Sequence, residues 1–158
     1  MQRNEMEEIY DKYKNVVYRT AVTCCKNFSE AEDITQDVFI KCFTSDKMFE
    51  NDEHLKAWLI RVTINRCKDI FRSFRFRNIV SLDNANHLSY ETPDENEVYN
   101  AVMSLPEKYR IIIHLFYYEE YSTREIAGIT RRSESAVRTQ LHRGRELLKK
   151  ILGKEFQI

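Results

Sequence analysis

Ser135, Arg138, Thr139, His142 and Arg143 recur at three- and four-residue intervals near the end of the chain. A helix with that spacing gathers all five on or beside one face. They supply two guanidinium forks, two hydroxyls and an imidazole, a donor set suited to recognition rather than to bond-making. Arginine pairs with guanine edges or with phosphate, and hydroxyls bond either one. Arg131 and Arg132 stand just before this set, and from Arg124 to Lys150 eight Lys/Arg face three Glu, a local charge of +5. The pattern points to nucleic acid. An ordinary helix pair with a solvated basic face would have the same composition.

A second basic zone combines Arg61, Arg66, Lys68, Arg72, Arg75 and Arg77 with Phe71, Phe74 and Phe76. Its cations suit phosphate and its rings suit unstacked bases. Equally, the rings could close a core that the arginines cover, and the sequence leaves both readings open. Trp58, beside Lys56 and Arg61, is open in the same way between base contact and burial. Catalysis has little support. His54, His87, His114 and His142 show no H-E-x-x-H or other metal spacing, so neither a metal nor a cofactor is expected. Cys24, Cys25, Cys42 and Cys67 lack C-x-x-C pairing and read as buried reduced thiols.

What must position these side chains is helical. Three glycines and two prolines in 158 residues are too few for a turn-rich sheet protein. Ser122 and Glu125 form a capping box that opens one helix, with Ile126 and Ala127 turned inward. Thr130 to Arg132 makes a turn, and Ser133 caps the next helix, whose Val137, Leu141 and Leu148 share a packing face. This is the layout of a helix-turn-helix, whose second helix lies in the major groove. Tyr109, Ile112, Ile113, Phe116 and Tyr117 are the expected core beneath it. Ser104 and Glu107 would cap their helix, with Pro106 in its first turn.

Upstream, Met6, Ile9, Tyr10, Tyr13, Val16 and Val17 mark a first helix from about Glu5 to Lys26. Ser29 and Glu32 form another capping box, opening a helix through about Phe43. Ile34, Val38 and Cys42 face its core, and Glu32, Asp33, Gln36, Asp37 and Lys41 face outward. That acidic face, flanked by Phe39 and Phe43, is either solvated or a docking surface. Thr44–Asp52 is a polar loop with Met48 and Phe49 near its centre, and Asp52 is placed to cap a long helix ending near Ser73. Residues 78–93 are polar, without a helical period, and a further helix begins near Asp94. The expected fold class is all-α, with a domain at 1–77, a flexible linker at 78–93 and a helix-turn-helix domain at 94–158.

The net charge is zero but segregated. Residues 1–60 hold eight basic and twelve acidic side chains, and 61–77 hold six basic and one acidic. Residues 78–106 hold five acidic and none basic, and 107–158 hold eleven basic and seven acidic. Two basic zones around an acidic segment suggest two nucleic-acid contacts on a protein that also binds something else. With no signal peptide or run of 18 apolar residues, no membrane insertion and a cytoplasmic location are expected.

These motifs, taken in order, resemble the extracytoplasmic-function (ECF) group of bacterial sigma-70 factors over nearly the whole chain. AEDITQDVFIKCF, Ala31–Phe43, looks like the family's polymerase-docking helix, which implies docking roles for Asp33, Gln36, Asp37 and Phe39. HLKAWLIRVTINRCKDIFR, His54–Arg72, looks like the helix of −10 recognition and promoter melting, with Trp58, Leu59, Arg61, Asn65, Asp69 and Arg72 matching. The preceding loop corresponds to the family's loop that captures an unstacked non-template base, which brings in Met48 and Phe49. LPEKYRIIIHLFYYEEYSTREIA and SAVRTQLHRGRELL match the −35 domain, on Leu105, Pro106, Arg110, Glu125, Ile126, Ala127, Val137, Leu141, Arg143 and Arg145. The resemblance implies a sigma factor that binds core RNA polymerase and promoter DNA, performs no covalent chemistry, and has an anti-sigma factor as partner. Its −35 contacts would be Arg131, Arg132, Ser135, Arg138, Thr139, His142 and Arg143. One departure stands out: members commonly place a glycine and an apolar residue where this chain has Arg131 and Arg132. The alternative is a stand-alone helix-turn-helix repressor or activator, which would need the C-terminal module alone.

Overall fold

The structure, a computed structural model, describes residues 2–77 and 93–153, with the side chains of 74–77 and 93–96 left aside. The linker expected at 78–93 therefore lies outside the described residues apart from Pro93, as do His87 and the side chains of Phe74, Arg75, Phe76 and Arg77. The described residues are helical and fall into two compact units, Met1–Ala85 and Asn86–Ile158.

The first unit contains α1 (Arg3–Cys25), α2 (Phe28–Thr44) and α3 (Asp52–Arg77). Val17 and Ala21 of α1, Ile34 and Val38 of α2, and Leu59 and Ile60 of α3 meet in its core, each at most 1% exposed. Two expected caps move by one or two residues. Lys26 ends α1 in the left-handed region, φ 56°, with its N–H on the Val22 carbonyl. That reversal leaves Asn27 as the extended residue before α2, so the Asn27 side chain, not Ser29, accepts the first free amide, from Glu30 (2.9 Å). Asn51 rather than Asp52 caps α3, its Oδ1 accepting the His54 N–H at 2.8 Å. Asp52, released from capping, takes the Lys12 ammonium of α1 at 2.8 Å.

The second unit contains α4 (Pro93–Ser104), α5 (Glu107–Ile113), a π turn over His114–Tyr118, α6 (Thr123–Thr130) and α7 (Glu134–Leu152). Ser104 ends α4 instead of capping α5, because its hydroxyl donates back to the Ala101 carbonyl at 2.7 Å. Pro106 is the residue before α5 and brings no side-chain acceptor. Buried Arg110 closes this corner by donating to the Leu105 carbonyl at 2.7 Å.

The π turn redraws the expected core. A 3.6-residue period carries Phe116 and Tyr117 inward with Ile112 and Ile113. The wider turn instead buries His114 and Leu115, leaving Phe116 half-buried and Tyr117 exposed. Positions five apart lie about 140° apart around an α-helix. Here the widened turn brings His114 Nε2 within 3.1 Å of Glu119 Oε2, both side chains buried.

The helix-turn-helix forms as its local signals require. Both halves of the Ser122–Glu125 capping box are made, at 3.1 and 3.0 Å. Ile126 and Ile129 are the buried pair on α6, while Ala127 is half-buried. Arg131 takes the left-handed conformation, φ 56°, and the Arg132 N–H returns to the Ala127 carbonyl at 3.1 Å, closing the helix end. Ser133 then caps α7 by accepting the Ala136 N–H. Gly144 permits the close approach of α5, since a Cβ there would lie 3.2 Å from Ile113 Cγ1.

Candidate nucleic-acid interface

The amphipathic pattern of α7 sorts its side chains cleanly. Val137, Leu141, Gly144 and Leu148 are buried, whereas Ser135, Arg138, Thr139, His142 and Arg143 are all exposed. Arg131 is exposed at the turn and Arg132 half-buried beside it. All seven candidates therefore lie on the turn or the solvent side of one helix. Glu134, which the sequence reading passed over, organises the start of that face. Its Oε2 accepts the Arg138 guanidinium at 3.0 Å and the Thr123 hydroxyl of α6 at 3.1 Å. The signal was present as a Glu four residues before an Arg. Arg145 turns away from the group: its Nε donates to the Tyr117 hydroxyl at 2.6 Å, and its guanidinium lies 5.2 Å from the Phe116 ring centre.

The loop before α3 and the exposed side of that helix form the second candidate surface. Met48 is 86% exposed. Phe49 is half-buried, edge-to-face with Trp58 at 5.3 Å and with His54 at 5.4 Å. Trp58 itself is 8% exposed, so of its two readings the fold takes burial. Arg61 is half-buried, and Asn65 and Arg72 are exposed. Asp69 accepts the Arg72 guanidinium at 3.2 Å.

On α2, Asp33, Gln36 and Asp37 are exposed as the spacing requires. They line a cleft of about 470 Å³ against Arg66, Asp69, Ile70 and Ser73 of α3, with Arg66 Nε 3.1 Å from Asp37 Oδ2. Phe39 does not share that surface. It is 2% exposed, packed against Tyr10 and Phe43 at 5.0 and 5.9 Å between ring centres, so its ring supports the helix from inside.

None of the four cysteines is in a disulfide; Cys24, Cys42 and Cys67 are buried, and half-buried Cys25 donates its thiol to the Asn27 carbonyl at 3.4 Å. Burial pushes the Cys25 thiol up to about 11, which leaves little thiolate at neutral pH. Among the described residues no group of His, Cys, Asp and Glu is placed to hold a metal. No described helix is long and apolar enough to cross a membrane.

This pair of helical units has counterparts. The family model for Sigma-70 region 2 matches residues 9–77, and that for Sigma-70 region 4 matches residues 95–148. The ECF RNA polymerase sigma factor SigL of Mycobacterium tuberculosis is 30% identical over 146 residues, covering 87% of this chain and 82% of SigL. The chain belongs to the ECF sigma factors. A second relative, the ECF sigma factor SigW of Bacillus subtilis, is 29% identical over 163 residues and covers 92% of this chain and 87% of SigW. The fold is shared with the sigma factor RpoE of Bartonella quintana, solved with the anti-sigma factor NepR. That likeness has a TM-score of 0.82 at 21% identity over 96% of this chain and 99% of RpoE.

In this sigma factor the region 2 match spans nearly all of α1–α3, and the region 4 match runs from the start of α4 into the last turns of α7. The Arg131–Arg132 turn falls inside region 4. Its left-handed residue carries a side chain where the resemblance led one to expect glycine, and that costs about 1–2 kcal/mol of backbone strain.

Proposed function

We propose that this sigma factor docks on core RNA polymerase through the acidic face of α2. The loop at Met48 and the exposed side of α3 then engage the separated −10 element, and α7 reads the −35 duplex. Support comes first from the two sigma-70 regions standing in order in one chain, and next from the seven basic or polar candidates grouped at α7 and its turn. The polypeptide performs no covalent chemistry; it selects where the polymerase begins. Phosphate contacts from Arg131, Arg132 and Arg143 supply affinity, and Ser135, Arg138, Thr139 and His142 meet base edges or backbone. Asp33, Gln36 and Asp37 offer carboxylates and an amide to basic polymerase side chains, with Phe39 fixing the helix that carries them. Of the −10 candidates, Arg61, Asn65 and Arg72 meet the DNA strand, with Trp58 and Phe49 behind them.

An anti-sigma factor belongs to the proposal as a further partner, as NepR is for the RpoE of similar fold. The site of action is the cytoplasm, where the polymerase is. Transcription in vitro with core polymerase and a promoter library tests the whole reading: specific initiation that depends on this chain is expected. Duplex binding with no effect on polymerase would instead point to a stand-alone repressor or activator. Reversing Asp33 and Asp37 to Lys tests the docking face, with an expected loss of polymerase affinity of at least tenfold, about 1.4 kcal/mol or more. Helicity by circular dichroism should survive, because both positions are exposed and the Asp37–Arg66 pair contributes about 1 kcal/mol at most. Unaltered affinity in that folded variant would sink the docking assignment.

A further inference from the structure

His54 joins α3 to the loop before it in two directions at once. Its backbone N–H donates to Asn51 Oδ1 at 2.8 Å, the cap of the helix. Its ring works in reverse, with Nδ1 accepting the Glu50 N–H at 3.1 Å. The exchange is that of a capping box, with imidazole in place of the usual glutamate and reaching one residue further upstream. An Nδ1 that accepts carries no proton, so this bond also sets the tautomer. The same ring lies edge-to-face with Phe49, which also meets buried Trp58. Residues 49 and 50 are thus tied to α3 by a ring cluster and a backbone hydrogen bond. Met48, the next residue upstream, is left 86% exposed.

The geometry points to His54 as a positioning residue for base capture: it holds the backbone at Glu50 so that Met48 meets DNA from a defined place. Phe49 is the anchor in this arrangement and Met48 the contact. A loop ordered before binding loses less freedom on meeting the right base, and it adapts poorly to a wrong one. The inference rests on the proposal that this loop engages the −10 element.

The test uses the full chain bound to core RNA polymerase and single-stranded non-template −10 oligonucleotides carrying each base at each position. The quantity read is the ratio of affinities for the best and worst base at the most discriminating position. His54→Phe keeps a ring for Phe49 and removes the acceptor. His54→Asn removes the ring and keeps an acceptor, since its Oδ1 stands where Nδ1 stood. His54→Phe is expected to lower the ratio about fivefold, and His54→Asn to hold it within about twofold. A role confined to helix stability would weaken all bases alike and leave the ratio unchanged. An unchanged ratio in His54→Phe, or an equal or greater loss in His54→Asn, therefore overturns the inference. Met48→Ala separates this from the reading beneath it. If that variant keeps the full ratio at every position, the loop does not meet a base and the −10 assignment fails. If it loses the ratio while His54→Phe does not, the positioning role alone falls.

Discussion

On α7, the side chains expected to meet DNA are polar, exposed and confined to one face. Along α3 and the loop before it the corresponding set is divided: Met48, Asn65 and Arg72 are exposed, Phe49 and Arg61 are half-buried, and Trp58 lies in the core. The difference follows from what burial costs each side chain. Sequestering an unpaired guanidinium or hydroxyl costs several kcal/mol, so on an amphipathic helix such groups have one place to go. An aromatic ring gains free energy in a core and gains it again against an unstacked base. Polar readers thus reveal their direction from spacing, and aromatic ones do not. It follows that substitutions on α7 should change binding with little change in stability, whereas those around Trp58 should change both.

The largest effect is expected at Trp58. Trp58→Ala should destabilise the first unit by about 3–5 kcal/mol, measured by denaturant unfolding followed by circular dichroism. Trp58→Phe should recover more than half of that. An Ala variant with an unshifted midpoint but no binding to −10 oligonucleotides would break the comparison, because Trp58 would then act on DNA rather than on packing. Arg138→Ala comes next, on the other surface. It should cost about 1–3 kcal/mol of binding to the preferred −35 duplex and less on a scrambled one. Stability should change by less than about 1 kcal/mol, since the Glu134 pair it removes is exposed. Binding isotherms on both duplexes at several salt concentrations check this. Equal losses would make Arg138 a phosphate contact.

Arg131→Gly sharpens the comparison within the second unit. Glycine adopts the left-handed turn without the Cβ penalty of about 1–2 kcal/mol but loses more backbone freedom on folding, so thermal unfolding should show a net gain of about 0.5–1 kcal/mol. Duplex binding should weaken slightly with the lost charge. A destabilised variant would mean that the Arg131 side chain makes a contact worth more than the strain. Lys150→Ala should have the smallest effect, a few tenths of a kcal/mol, alike on preferred and scrambled duplex. A loss confined to the preferred sequence would extend the reading face further along α7 than its N-terminal half.

Much of the second unit was legible without coordinates. The Ser122–Glu125 box, the Ser133 cap and the exposed face of α7 all follow from interactions within about five residues and from one helical period. The same holds for the outward carboxylates of α2 and for the all-helical class. What the sequence left undecided depended on competition or on distance. Asn27 displaced Ser29 as a cap because the chain turned at Lys26, and Asn51 displaced Asp52, which pairs instead with Lys12, 40 residues away. Arg66 reaches Asp37 across 29 residues, a pairing that no local spacing encodes. The π turn moved His114 and Leu115 into the core in place of Phe116 and Tyr117, against the 3.6-residue period. Phe39 and Trp58 went inward because neighbouring helices and the preceding loop offered them rings to pack against. Local hydrogen bonding and periodicity are written in consecutive residues. The packing of a ring and the partner of a charge are settled only when distant segments come into contact.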